Sequence, residues 1–162
     1  MNRQWLLFLA LVAGAAFAHH GRMQEHLLNV QVLSAGRYAE TSAGFVRTSG
    51  HVEIGAPVAP IEQTDRISLR TGERFGFCFQ VSGFLEDGDA DLQKIVTHPV
   101  VTAGDSTVSG YVGTIELNVI GGRAEGCIGH TLESGADLIA GRWTIALGGG
   151  ETTLAERSFI VE

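Results

Sequence analysis

The chain has 162 residues, with 11 Lys and Arg against 18 Asp and Glu, six His, two Cys and 22 Gly. At 44% hydrophobic and 18% charged residues it carries the apolar content of a folded domain and not of a disordered one. The formal charge of −7 excludes a nucleic-acid binder working through a basic face and disfavours adhesion to anionic lipid.

Residues 1–18 carry one charge, at Arg3, followed by an apolar run from Trp5 to Ala18 with the small residues Ala16 and Ala18 at its end. This is the three-part pattern of a secretory signal peptide, with cleavage expected after Ala18. The run is shorter than the roughly 20 apolar residues a membrane-spanning helix needs. It gives way to His19-His20-Gly21-Arg22, so no membrane span is expected after processing. Removing 18 of the 162 residues leaves 144, which suits one domain over residues 19–162 in the periplasm or outside the cell. Residues 19–25 are expected to form a flexible polar tail.

Beyond the tail the dominant signal has period two. In LLNVQVL, Leu28, Val30 and Val32 share a face. The segment from Thr41 to Pro60 is the least regular and is expected to hold loops or a short edge strand. In RFGFCFQV, Phe75, Phe77, Phe79 and Val81 point one way while Gly76, Cys78 and Gln80 point the other. Leu92–His98 reads as a strand that Pro99 should end, because proline cannot donate to a ladder. Thr102–Gly110 reads as a turn. Ile115, Leu117 and Val119 then alternate with Glu116 and Asn118, and Trp143, Ile145 and Leu147 with Thr144 and Ala146. Gly148-Gly149-Gly150-Glu151 separates Trp143–Leu147 from Leu154–Val161, which predicts a closing hairpin bearing Phe159 and Val161. The one helical candidate, Ala136–Ala140, is too short and lies between two glycines. Short strands with regular turn signals and no helices predict an all-β, Ig-like antiparallel sandwich of about seven to nine strands. Its expected core is Val30, Val32, Phe75, Phe77, Phe79, Val81, Ile115, Leu117, Val119, Trp143, Ile145, Leu147, Phe159 and Val161.

Chemistry-bearing residues are sparse. Cys78 and Cys127 form an even pair for an oxidising compartment, and a bridge between them is expected. Closing a loop of about 50 residues, it would be worth roughly 4 kcal/mol in the chain-entropy treatment. Cleavage after Ala18 would make His19 the amino terminus, where an α-amino group and imidazole can chelate copper with His20 or one of His26, His51, His98 and His130. A loose tail and the lack of an HxH or HxxxH pair on a strand weigh against it, so copper is an alternative and no cofactor is expected. The acidic run Glu86–Asp91 departs from a calcium loop, with Leu92 and His98 where a loop beginning at Asp87 needs Gly and Glu. It reads as a solvated hairpin loop. Arg66, Arg70 and Arg74 recur every fourth residue and would share one side of an extended chain, a candidate anion or partner site; the competing expectation pairs them with Glu62, Asp65 and Glu73. His98 next to Pro99 is expected to orient a corner. No nucleophile elbow, HExxH pair or phosphate loop occurs, and a hydrolase with a dispersed site is a second alternative.

Gly36–Tyr38 (GRY), Thr64–Phe77 (TDRISLRTGERFGF), Thr97–Thr102 (THPVVT) and Gly141–Val161 (GRWTIALGGGETTLAERSFIV) together make the chain resemble a bacterial family of exported proteins catalogued as domain of unknown function 3859. The resemblance runs in order along most of the mature chain. It implies a β-sandwich in the cell envelope and no particular reaction. Cys78 and Cys127 depart from that pattern as a pair, which supports their bridging. The expected role is that of a non-enzymatic binding or interaction module for an envelope protein or peptide, using end loops or an exposed sheet edge.

Overall fold

The computed structural model describes residues 28–39, 46–48, 52–55, 59–103, 105–133, 135 and 138–162. In it the period-two segments become strands: β1 (Asn29–Tyr38), β2 (Val46–Thr48), β3 (Val52–Gly55), β4 (Arg66–Ile67), β5 (Arg74–Ser82), β6 (Gly88–Ala103), β7 (Ser106–Val119), β8 (Arg123–Thr131), β9 (Gly141–Gly149) and β10 (Thr152–Val161). They build two sheets, ordered β1-β5-β8-β3-β2 and β4-β10-β9-β6-β7. β2 and β4 are only three and two residues long, so the count of longer strands stays within the expected range. All pairings are antiparallel except β4 with β10, where Arg66 and Ile67 lie parallel to Ile160 and Val161.

The alternation in β5 decides which face of the first sheet is apolar. Phe75, Phe77, Phe79 and Val81 turn inward beside Ala124 and Ile128 of β8, and all six are buried. Opposite them stand Leu92 and Val96 of β6, Ile115, Leu117 and Val119 of β7, Trp143, Ile145 and Leu147 of β9, and Phe159 and Val161 of β10. Burying each large apolar side chain contributes about 1.5–3 kcal/mol. The rings add geometric preference: Phe75 meets Trp143 edge-on at 6.0 Å between centroids and Phe159 at 5.1 Å.

Three expectations are corrected. Val30 and Val32 are only partly buried, because β1 lies at the margin of its sheet and its inward residues lean on the core from the side. A bulge at Leu33 follows, which exposes that side chain and puts Ser34 opposite Cys78. Pro99 does not end β6. The strand continues to Ala103 through an irregularity between Thr97 and Val101, and β6 pairs with β9 only as far as Thr97 opposite Thr144. Pro99 therefore falls where no further bond to β9 is required, and its ring fills the space beside Gly141, where a Cβ would come within 2.7 Å of Pro99 Cγ. The expected turn at Thr102–Gly110 gives way largely to strand, since Ala103 already pairs with Ser106.

On the outer face of the first sheet Cys78 stands directly opposite Cys127, and the two form a disulfide. Tyr38 covers it: its hydroxyl lies 3.2 Å from Ser34 Oγ and 3.6 Å from Cys78 Sγ, and all three of Tyr38, Cys78 and Cys127 are buried. Residue 36 of β1 and its partner in β5 are both Gly, and a Cβ at either would strike neighbouring backbone, the Glu62 carbonyl at the first and the Ile128 carbonyl at the second. Burial pushes the Tyr38 phenol above its ordinary value, against the hydrogen bonds to Ser34 and Cys78. Under oxidising conditions Cys78→Ala is expected to cost about 2–4 kcal/mol. Cys127→Ala alone should cost the same, and the two together should remove no second bridge. Thermal melts of the three variants and the oxidised protein check this, and equal midpoints would remove the disulfide from the stability of the fold.

Candidate functional site

An open sandwich has four strand edges, each a row of unpaired amides and carbonyls unless something covers it. Among the described residues they are protected unequally. Beside β1, the Arg37 amide donates to the Glu62 carbonyl at 2.9 Å and the Ile61 amide donates back to the Arg37 carbonyl at 2.8 Å. β2 is three residues long, and β4 covers only Ile160 and Val161 of β10, whose remaining stretch carries the exposed charges of Glu156 and Arg157. The fourth edge, β7, runs for 14 residues, and among the described residues no strand lies on its far side. From Ser106 to Ile115 it carries no charged side chain. Val108 and Val112 on its outer face are 51% and 62% exposed. Charges, prolines and covering loops are the usual protection of such an edge, and among the described residues none of these protects that stretch.

Behind β7 lies a polar cluster inside the sandwich. Lys94 of β6 falls on the inward face between Leu92 and Val96 and is fully buried. Its ammonium sits 5.4 Å from the centre of the Tyr111 ring. Burying an ammonium costs several kcal/mol, more than the roughly 2 kcal/mol a desolvated cation–ring contact returns. Other groups must share that cost, and Lys94 does make further interactions. The Tyr111 hydroxyl hydrogen-bonds His130 Nδ1 at 3.1 Å, and the His130 ring stacks on Trp143 at 4.8 Å. His98 lies against the same indole at 4.9 Å and donates from Nδ1 to the Pro99 carbonyl at 2.8 Å. The Trp143 indole N–H in turn donates to the Ile139 carbonyl at 3.0 Å. Lys94, Tyr111, His130, Trp143 and His98 thus tie β6, β7, β8 and β9 together at one end of the sandwich. The Tyr111 hydroxyl, His130 Nδ1, His98 Nδ1 and the Trp143 indole N–H engage one another or the backbone, which suits the cluster to hold the two sheets in register beneath the β7 edge.

The residues singled out in the sequence are distributed differently. Arg66, Arg70 and Arg74 form no common row: β4, the turn before β5 and β5 itself place them apart. Arg66 pairs with Glu162 at 2.7 Å, Arg70 pairs with Glu73, and Arg74 donates to Thr131 Oγ1 at 2.9 Å. The reason is that the chain changes sheets between Arg66 and Arg74, so regular spacing does not survive as a shared face. His98 does fix a corner by hydrogen bonding. His19, His20, His26 and His51 lie outside the described residues, and among the described residues no group of three or more His, Cys, Asp or Glu side chains is placed to hold a metal ion. In the acidic run, Asp87 accepts the Gly122 amide at 3.0 Å, and the amides of Gly121 and Gly122 hold its carboxyl below its ordinary value. Asp89 and Asp91 are exposed on β6.

Glu73, not weighed as a site residue in its own right, is the centre of the ionic network. It is 6% exposed and takes the Arg37 guanidinium at 2.9 Å together with Arg70. Burial raises its carboxyl pKa, but the hydrogen bonds from Arg37 and Arg70 outweigh that and hold it below the ordinary range. Arg70 is largely exposed and contributes little, so Arg37 carries most of the effect. A carboxyl with a lowered pKa in the folded state stabilises fully above the unfolded value of about 4.3 and loses that contribution as the pH falls through the folded value. Glu73→Gln is therefore expected to melt below the parent at pH 7 and to approach it as the pH falls below the unfolded value of about 4.3. A gap that stays constant across the series would exclude Glu73 titration as the cause.

Two comparisons bear on the whole molecule. A crystal structure of an immunoglobulin-like protein from Pseudomonas aeruginosa is similar with a TM-score of 0.58 and 19% identity, covering 83% of this chain and 96% of that one. At that identity the likeness is one of fold. No curated protein matches the sequence. The family model described as Domain of unknown function (DUF3859) matches residues 30–161, a span that includes every strand from β2 to β10 and nearly all of β1. The chain belongs to the DUF3859 family, and its fold is an immunoglobulin-like β-sandwich.

Proposed function

We propose that this protein is exported and acts without catalysis, as a binding module that engages a partner by strand addition along β7. The observation that carries the reading is the edge itself: 14 residues long, uncharged from Ser106 to Ile115, and flanked by exposed valines. Main-chain hydrogen bonds at such an edge supply affinity, and the alternate side chains on either face supply selectivity. The interior cluster supports this role mechanically, because Lys94 and Tyr111 hold β6 and β7 against the rest of the sandwich. Export rests on the leader pattern of residues 1–18 and on the use of both cysteines in a bridge.

The test is crosslinking in intact cells that express the full chain, followed by peptide mapping. Adducts are expected on the β6–β7 hairpin of protein recovered from the envelope, and Val108→Lys with Val112→Lys should abolish them without lowering the thermal midpoint by more than a few degrees. Protein recovered only as an unmodified single chain would overturn the reading.

A further inference from the structure

Resting on the reading of β7 as a binding edge, we infer that the partner which fits it is a second copy of this chain, joined by antiparallel pairing of β7 with β7 about Gly110. A twofold contact requires a patch complementary to itself. The outward residues of β7 read Ser106, Val108, Gly110, Val112, Thr114. From the centre outward this is glycine, then valine, then a small hydroxyl residue on both sides. With Gly110 on the axis, Val108 lies opposite the second copy's Val112, and Ser106 lies opposite the second copy's Thr114. Gly110 suits the centre because it presents no side chain to the approaching backbone. A Cβ there would already run into the Val96 carbonyl of its own sheet.

The sheet behind the edge agrees with this register. Ala146 of β9 lies opposite Ile95 of β6, and Ile95 lies opposite Val112 of β7. Val108 in turn lies opposite Val101. Pairing about Gly110 therefore extends one apolar row across both molecules, from Ala146 through Ile95 and Val112 to the second copy's Val108 and Val101. Charge favours the same arrangement. At −7 per chain two copies repel each other generally, so association must use a surface free of acidic groups. Glu116, the next outward residue, falls beyond the paired segment and not opposite another Glu116.

A single strand pair belongs to the smaller interfaces, so a dissociation constant in the micromolar range is expected. Sedimentation equilibrium of the purified protein from about 10 to 200 μM should show the mass doubling with concentration. Val112→Lys and Val108→Lys should each leave only monomer over that range. Placing Cys at both Val108 and Val112 should yield a disulfide-linked dimer under oxidising conditions, which reads the register without depending on either Lys variant folding. A protein that stays monomeric to 200 μM and forms no linked dimer through those positions overturns self-pairing. If hairpin adducts to a different protein are then found in cells, the edge reading stands and only the identity of the occupant fails. If no adducts are found, both fail.

Discussion

The structure depends on the contact of one aromatic face with another across the gap between the sheets. Phe75 on β5 reaches Trp143 on β9 and Phe159 on β10, which pairs with Trp143 in the same ladder. A one-residue slip in either strand would turn these rings to water. The loss would exceed anything the surface ion pairs could return. Strand register throughout the core follows from this requirement, and the irregularities lie away from those rings: Leu33 at the margin of the first sheet, the Pro99 region beyond the reach of β9, and Leu154 beside the closing turn.

Closing a core in this way creates edges, and the molecule treats its four edges unequally. The margin at β1 is interrupted by the bulge at Leu33 and bridged by residues 61–62 at Arg37, whose guanidinium joins Glu62 and the buried Glu73. β2 and β4 are trimmed nearly to nothing. β7 alone is long, uncharged over most of its length and lined with exposed valine. Among the described residues β7 is the longest edge strand and no strand pairs with its outer side, which concentrates the interaction potential there.

The strands of the core were legible in the sequence because period-two alternation of Phe, Ile, Leu and Val survives any detail of tertiary arrangement. The closing hairpin was legible for the same reason, helped by its glycine turn. The interior cluster was missed although DLQKIVTH alternates as clearly as the other segments. Leu92, Lys94, Val96 and His98 share one face, and a lysine in that row was not expected to turn inward. The Tyr111 ring that its ammonium faces, and the His130 and Trp143 rings linked to Tyr111, come from three other strands. The reverse error occurred with Arg66, Arg70 and Arg74, whose spacing suggested a row that a change of sheet dissolves.

From the residues alone came the fold class, the inward identity of most core side chains and the pairing of the two cysteines. Each of these follows from local alternation, or from there being only two thiols to join. Which strand would be left at the margin depended on the whole order of the sheets, a property of contacts between segments distant in the chain. Ser106–Ile115 has much the same composition whether buried at the centre of a sheet or open at its side. Only the assembled sandwich, by placing nothing described beyond β7, turns that stretch into a surface.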